Sequence, residues 1–491
     1  MSGGQMETVV AYLQAHAQQV PNKAAVIVNG EATSYGQLDM FVRGYASFLK
    51  KLGLEKGQIL VVKSSQSLEY VVAYLGIHLA GGIIAAAEKN VPAEGLSAMA
   101  KKLSASFIIS GDKLDCADVA WVDGSHILED ARSAPPMDLP LPQGTDSADI
   151  LFTTGTTGSS KGVELSHKAL VATAENLIYG CGYREDTLIV VPGPLNHANP
   201  IRKLITTIVN GSTIYLLNGM MNLKAFYTAL DDTRGRTACC LPPAMIRTIF
   251  SLTGDTIGNY ADKIDFIESA TAPLPEPDKL RLCQLLPHTR LFNNYGSSEA
   301  ASVCMYDYNA NPGKTSCIGK VMRNSQILIV NDDREVIASS KDQMGCLACA
   351  GGTVMKGYVN EPELTREVLV DGVVYTNDVG YIDEEGFVYI TGRKDDVINV
   401  GGLKVAPAEV EEAALAMEGV DDCICIAMPH PISGQALKLL VVMKENAELS
   451  PRKFSAFLQT KLEGYKIPTK YEQVDSVART YNGKLDRKAY R

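Results

Sequence analysis

The chain has 491 residues, of which 46% are apolar and 21% charged; it is too long for one ordinary domain, so two or three domains are expected. A formal net charge of −10 argues against nucleic-acid and anionic-membrane partners, because both demand a clustered positive field. Met1 to Val10 has neither a basic opening nor an apolar core, and the longest apolar run, Tyr74 to Ala87, is interrupted by His78 and too short to span a bilayer. A cytoplasmic protein with no membrane span is the expectation. The 11 cysteines are scattered and odd in number, which suits reduced thiols. Cys346 and Cys349 lie in a strand-like run, where positions three apart point to opposite faces, so they read as core thiols and not as a redox or metal pair.

In chain order, strands are predicted at Ala24 to Val28, Gln58 to Val62, Gly82 to Ala87 and Ala105 to Ser110, separated by amphipathic stretches such as Tyr35 to Leu52 and Ser67 to Leu79. This is the rhythm of stacked βαβ units. Pro135 to Gly144 reads as a linker. An apolar run then ends at Phe152, followed by Thr153-Thr154-Gly155-Thr156-Thr157-Gly158-Ser159-Ser160-Lys161-Gly162, with a helix beginning near Ser166. Glycines let backbone approach an anion, the hydroxyls donate hydrogen bonds and Lys161 adds a charge, so the run reads as a phosphate cradle. The spacing differs from the commonest phosphate loop, because two serines precede the lysine and a glycine follows it. A flexible linker is the alternative reading.

Further strands are predicted near Leu188 to Val191, Thr213 to Leu217, Thr237 to Leu241, Ile264 to Ile267 and Arg290 to Asn293. Pro192 to His197 ends the first of these at the edge where open α/β sheets place ligands. After about Ser302 short strands follow, at Gln326 to Val330, Glu335 to Ala338, Cys346 to Ala350 and Val373 to Thr376, suggesting a β-rich subdomain. From about Lys394 the composition changes again: helices at Pro407 to Met417 and Pro451 to Leu462, strands at Asp422 to Met428 and Lys438 to Lys444, and a lysine-rich tail. The fold class expected is α/β: a large N-terminal domain of stacked βαβ sheets over residues 1–393, with a β-rich subdomain, and a small mobile α+β domain over 394–491.

The phosphate run resembles the signature loop of the adenylate-forming superfamily, which includes acyl-CoA synthetases, firefly-type luciferases and adenylation domains of peptide synthetases; Ser160 stands where that family usually has proline. Asn293-Asn294-Tyr295-Gly296-Ser297-Ser298-Glu299 is similar to the family's Tyr-Gly-x-Thr-Glu, and Ser269-Ala270-Thr271-Ala272-Pro273-Leu274 to its adenine-accepting turn. Tyr375-Thr376-Asn377-Asp378 resembles Thr-Gly-Asp, with Asn377 in place of glycine, a residue that tolerates the left-handed backbone. Gly392-Arg393-Lys394-Asp395 resembles the hinge motif, and Asn482-Gly483-Lys484-Leu485-Asp486-Arg487 the motif of the inserted lysine.

The resemblance implies that Thr153, Thr154, Gly155, Thr156, Thr157, Gly158 and Lys161 hold phosphates, Ala270, Thr271, Ala272, Asn294, Tyr295 and Gly296 meet the nucleotide, and Ser298 bonds a phosphate oxygen. It further implies that Glu299 holds Mg2+, Asp378 and Arg393 take the ribose, His197 borders the acid, Asp395 is the hinge and Lys484 bridges the reacting anions. Magnesium needs few protein carboxylates beside phosphate oxygens, and a bidentate carboxylate suits two adjacent hydroxyls. The implied activity is ATP-dependent activation of a carboxylic acid through an acyl-adenylate, then thioester formation with CoA, the withdrawn lid presenting Gly401 and Gly402 to the thiol. Tyr465-Lys466-Ile467-Pro468 resembles CoA ligases more than peptide-synthetase domains, and no aspartate stands between Leu195 and Ile201 for a substrate ammonium. The phosphopantetheine of a carrier protein remains a rival acceptor, and a non-catalytic adenylate-binding regulatory protein is the reading of another class.

Overall fold

Local sequence explains where the elements begin. Ser34 and Gln37 form a reciprocal capping box at the start of helix Tyr35–Lys51, whose buried face, including Leu38, Phe41, Val42, Tyr45 and Leu49, follows helical spacing. Ser67 caps Leu68–Leu79 by accepting from Tyr70 N. The structure, a computed structural model, describes residues 6–114, 119–153, 161–219, 222–233, 236–480 and 484–490, with the backbone alone at Thr153 and Lys404.

Parallel strands Ala24–Val28, Thr213–Leu216, Leu188–Val191, Thr237–Cys240, Ile264–Ser269 and Arg290–Ser297 lie side by side in that order. Antiparallel Ala301–Asp307 and Cys317–Val321 extend the sheet. It continues through Val388–Arg393 into Val373–Ile382, Gly345–Gly351 and Ser325–Val330, the β-rich region expected past Ser302. A second sheet runs Gly357–Tyr358, Lys161–Ser166, Ser147–Thr153, Ile83–Ala87, Ile59–Lys63, Phe107–Ser110 and Ala120–Asp123. One apolar core joins the two sheets through helices Leu68–Leu79, His167–Cys181 and Ala198–Asn210. Beyond Arg393 a short turn, Lys394–Asp396, leads to another sheet built from Ile398–Val400, Leu403–Val405, Val420–His430, Gly434–Met443 and Lys470–Gln473. Helices Pro407–Leu415 and Pro451–Gln459 cover it, and it encloses its own core around Val405, Val410, Leu439 and Phe454.

Three expectations need correction. The run after Phe152 does not feed directly into a helix: Lys161–Ser166 is a strand, antiparallel to Ser147–Thr153 with Lys161 opposite Thr153. Buried Val163 and Leu165 pair with Leu151 and Asp149, and the helix begins at His167 with Ser166 as its cap, where the sequence placed it. The phosphate run therefore joins two paired strands. Glu335 to Ala338 makes only a single bridge, Val336 to Val330, because Asn331 folds the chain back by accepting from the backbone N–H groups of Asp333 and Glu335. Asn377 is not left-handed; it lies within the extended strand Val373–Ile382. Within Gly345–Gly351, Cys349 is buried and Cys346 half-buried, and both thiols are unpaired.

Candidate functional site

The candidate residues gather where the parallel strands end. Strand Arg290–Ser297 turns back sharply into Ala301–Asp307, and the turn is close: a Cβ at Gly296 would stand 1.8 Å from the Ala301 carbonyl oxygen, so only glycine fits. Just before it, the Tyr295 hydroxyl donates to Asp378 Oδ2 at 2.5 Å, and burial followed by the Asp378 charge raises the phenol's pKa well above its ordinary value. Asp378 sits opposite Arg393 in the antiparallel pair of Val373–Ile382 with Val388–Arg393. Arg393 Nε lies 3.6 Å from Asp378 Oδ1. Asp378 thus presents an acceptor-only carboxylate beside a fixed cation, the donor set that suits adjacent hydroxyls.

Ala270, Thr271 and Ala272 follow strand Ile264–Ser269. Thr271 holds φ at +79°, costly for a β-branched residue and therefore a marked local conformation. Ser298 is half-buried in the turn. Glu299 Oε1 accepts from the Tyr358 hydroxyl at 2.8 Å, and its backbone carbonyl accepts from Met355 N at 2.8 Å. Tyr358 also pairs with Val163 across the strands, and Lys161 Nζ lies 5.4 Å from its ring centroid. Residues 353–358 therefore strap the strand that begins at Lys161 to the carboxylate at Glu299. Thr154, Gly155, Thr156, Thr157 and Gly158 lie outside the described residues.

Lys484 comes to the same place from the far end of the chain. Arg393, Asp378 and Glu299 all act on its ammonium. The residue is exposed, yet the protein around its ammonium, then Arg393, lowers its pKa, while Asp378 and Glu299 oppose the shift. Asp395 lies in the turn Lys394–Asp396 and accepts from Asn377 Nδ2 at 2.8 Å. Gly401 and Gly402 adopt φ of +60° and +92° in the turn between Ile398–Val400 and Leu403–Val405.

His197 precedes helix Ala198–Asn210 and its ring makes no capping bond. Burial lowers its pKa, and Glu88 partly restores it, so at neutral pH it is an uncharged imidazole. Behind it lie groups that motif matching missed. Lys203 Nζ meets Glu268 Oε1 at 2.9 Å, both side chains 0% exposed, and Asn294 Nδ2 donates to the same oxygen at 2.7 Å. Arg202 donates to the Ser297 carbonyl at 2.8 Å; burial lowers its pKa to about 10, against the pull of Glu268 and Glu299. The signal was present: two adjacent cations interrupt the apolar run Ile201 to Ile205, and Glu268 follows the apolar pair Phe266 and Ile267 near the end of its strand.

A strand-end site that brings Asp378, Glu299 and Arg393 together with Lys484 suits a nucleotide-dependent enzyme on an α/β scaffold. The family model "AMP-binding enzyme" matches residues 13–359 and "AMP-binding enzyme C-terminal domain" matches 409–484, and the chain belongs to this adenylate-forming family. Among its relatives, 4-coumarate–CoA ligase 3 of Arabidopsis thaliana is 25% identical, covering 96% of this chain and 88% of that protein. A 2-succinylbenzoate–CoA ligase of Bacillus cereus is 25% identical over 99% of this chain and 98% of its own. The fold is shared with ATP-bound MatB from Rhodopseudomonas palustris (TM-score 0.87, 22% identity, 98% and 99% covered). It is shared also with o-succinylbenzoate CoA synthetase from Bacillus subtilis in complex with an acyl-adenylate (TM-score 0.85, 21% identity, 98% and 97% covered).

Proposed function

We propose that this enzyme joins a carboxylic acid, acyl or aryl, to the thiol of CoA at the expense of ATP, releasing AMP and pyrophosphate. The observation that carries the reading is the convergence of Lys484 with Arg393, Asp378 and Glu299. A carboxylate and the α-phosphate repel each other, and a cation set between them lowers the barrier most in the transition state, where the charges are closest.

In the first half-reaction the acid's carboxylate oxygen bonds to the α-phosphorus as the bond to the pyrophosphate oxygen breaks, leaving an acyl-adenylate. Lys161 and the run Thr153 to Gly158 hold the outer phosphates, Ser298 donates to a phosphate oxygen, Ala270, Thr271, Ala272, Asn294, Tyr295 and Gly296 receive the nucleotide, Asp378 and Arg393 hold the ribose, and His197 borders the acid. Among the described residues no cluster of three His, Cys, Asp or Glu could hold a metal unaided, which suits an ion that arrives with the nucleotide and takes Glu299 as a protein ligand. Mg2+ held by Glu299 would offset the negative charge of the phosphates. In the second half-reaction the domain of residues 394–491 turns about Asp395, withdraws Lys484 and brings Gly401 and Gly402 to the site; a thiolate attacks the activated carbonyl and AMP leaves. Unpaired cysteines suit the reducing cytoplasm, and no helix among the described residues is long and apolar enough to cross a membrane.

The test is pyrophosphate release across a panel of acids with Mg-ATP, followed by mass identification of the thioester formed with CoA. Release and an acyl-CoA product are expected. No release with any acid would favour an adenylate-binding regulatory protein, and a thioester only on a phosphopantetheinylated carrier protein would replace CoA as the acceptor.

A further inference from the structure

This inference rests on the reading above and concerns which acid the site takes. Parallel strands Thr237–Cys240, Ile264–Ser269 and Arg290–Ser297 end side by side, with Cys240 paired to Glu268 and Phe292, two residues before Asn294, also paired to Glu268. Residues two apart share a face, so Cys240, Glu268 and Asn294 look toward one side of the sheet. Ala238, Phe266 and Phe292, on that same side, pack in the core with Ile201, Leu204 and Ile205 of helix Ala198–Asn210. The first two turns of this helix add Asn199 and Lys203. The cluster adjoins the candidates already described: Glu268 comes shortly before Ala270 and Thr271, Asn294, itself a nucleotide candidate, directly before Tyr295, and Asn199 just after His197, which borders the acid.

Its hydrogen bonding is incomplete in one direction. Glu268 Oε1 accepts from both Lys203 and Asn294, but Glu268 Oε2, Asn294 Oδ1 and Asn199 Oδ1 are buried with no hydrogen-bond partner. The Cys240 thiol beside Glu268 is at best a weak donor. The Asn294 amide cannot turn to cure this, because its NH2 already serves a carboxylate, which only accepts, and the Ser302 hydroxyl. Glu268 Oε2 and Asn294 Oδ1 are acceptors, as is Asn199 Oδ1 with its NH2 on the Cys240 sulfur, and buried acceptors without donors are costly enough that native proteins rarely keep them without a partner.

We propose that Glu268, Asn294 and Asn199, with Lys203 fixing Glu268, form the floor of the acid-binding pocket and select an acid whose end remote from the reacting carboxylate carries a hydrogen-bond donor, a hydroxyl or an N–H. Such a group supplies what the three acceptors lack. An acid ending in a methyl leaves them unpaired, and a site built to hydrogen-bond its substrate rejects the analogue lacking the donor far more strongly than an apolar slot rejects an extra methylene.

The experiment compares matched triplets of short aliphatic and single-ring aromatic acids, ending in hydroxyl, amino or methyl, by kcat/KM for pyrophosphate release. The best donor-bearing acid should exceed its methyl partner by about 100-fold or more, and the hydroxyl and amino arms tell which donor is meant. The paired replacement Lys203→Met with Glu268→Leu, which removes both charges together, should reverse the preference toward methyl. Asn199→Leu leaves the ion pair whole and should narrow the preference by about tenfold, which keeps the test open if the paired variant fails to fold. Methyl acids used as fast as their donor-bearing partners would overturn this inference while leaving acid activation standing. No release with any acid would overturn both.

Discussion

Asn377 and Asp395 are joined by a hydrogen bond, the Asn377 amide donating to Asp395 Oδ2 at 2.8 Å. One belongs to the strand that presents Asp378, the other to the turn through which the chain leaves for its last sheet. Where the resembling motif carries glycine, this chain has a tether between the strand of Asp378 and the turn Lys394–Asp396. Asn377→Gly removes it without touching Asp378. An exposed hydrogen bond to a carboxylate contributes about 0.5–1 kcal/mol, so the variant should speed thioester formation relative to adenylation about 2–5-fold, read by single-turnover measurement of each half-reaction. An unchanged ratio would show that the tether does not restrain the turn.

Tyr358 touches two candidates at once, its hydroxyl on Glu299 and its ring beside Lys161. Tyr358→Phe keeps the ring and loses the bond, so Glu299 loses its orientation at a cost of about 1.5 kcal/mol. Pyrophosphate release titrated with Mg2+ should then show kcat/KM for Mg-ATP falling about tenfold, and further in Tyr358→Ala. A Phe variant as active as the parent would remove Tyr358 from the site.

Stability should fall in acid because of His167. Its ring is buried with both nitrogens lacking a hydrogen-bond partner, and burial first, then nearby His78, push its pKa down to about 3. The unfolded chain takes up the proton from about pH 6.5 downward while the folded chain refuses it, so stability is whole above that pH and drains as pH falls toward 3. The loss by pH 5 is about 2 kcal/mol. Denaturant midpoints at pH 7 and pH 5 should differ accordingly, and His167→Gln should shrink the difference. An equal slope in the variant would place the acid sensitivity elsewhere.

Much of this was legible in the residues. Strands Ala24–Val28 and Leu188–Val191 follow from short apolar runs bounded by breakers, and motif spacing found Asp378, Arg393 and Glu299 because each is fixed by its neighbours in sequence. The strand Lys161–Ser166 was missed because its partners, Ser147–Thr153 and Gly357–Tyr358, include one nearly 200 residues away, and no local pattern encodes such a pairing. Tyr358 escaped for the same reason. Lys203 and Glu268 were visible as charges in apolar runs, but only folding shows that the two charges meet.

The central claim is that Lys484 serves the adenylation half alone. Its lowered pKa means that the charge is lost at a lower pH than an ordinary lysine would lose it, so adenylation should decline early on the alkaline side. The most direct measurement is Lys484→Ala with both half-reactions followed separately: acyl-adenylate formation from acid and Mg-ATP, and thioester formation from supplied acyl-adenylate and CoA. The account predicts a fall of about 100-fold or more in the first with the second nearly unchanged. Adenylate formation at the parent rate, or equal losses in both halves, would contradict it.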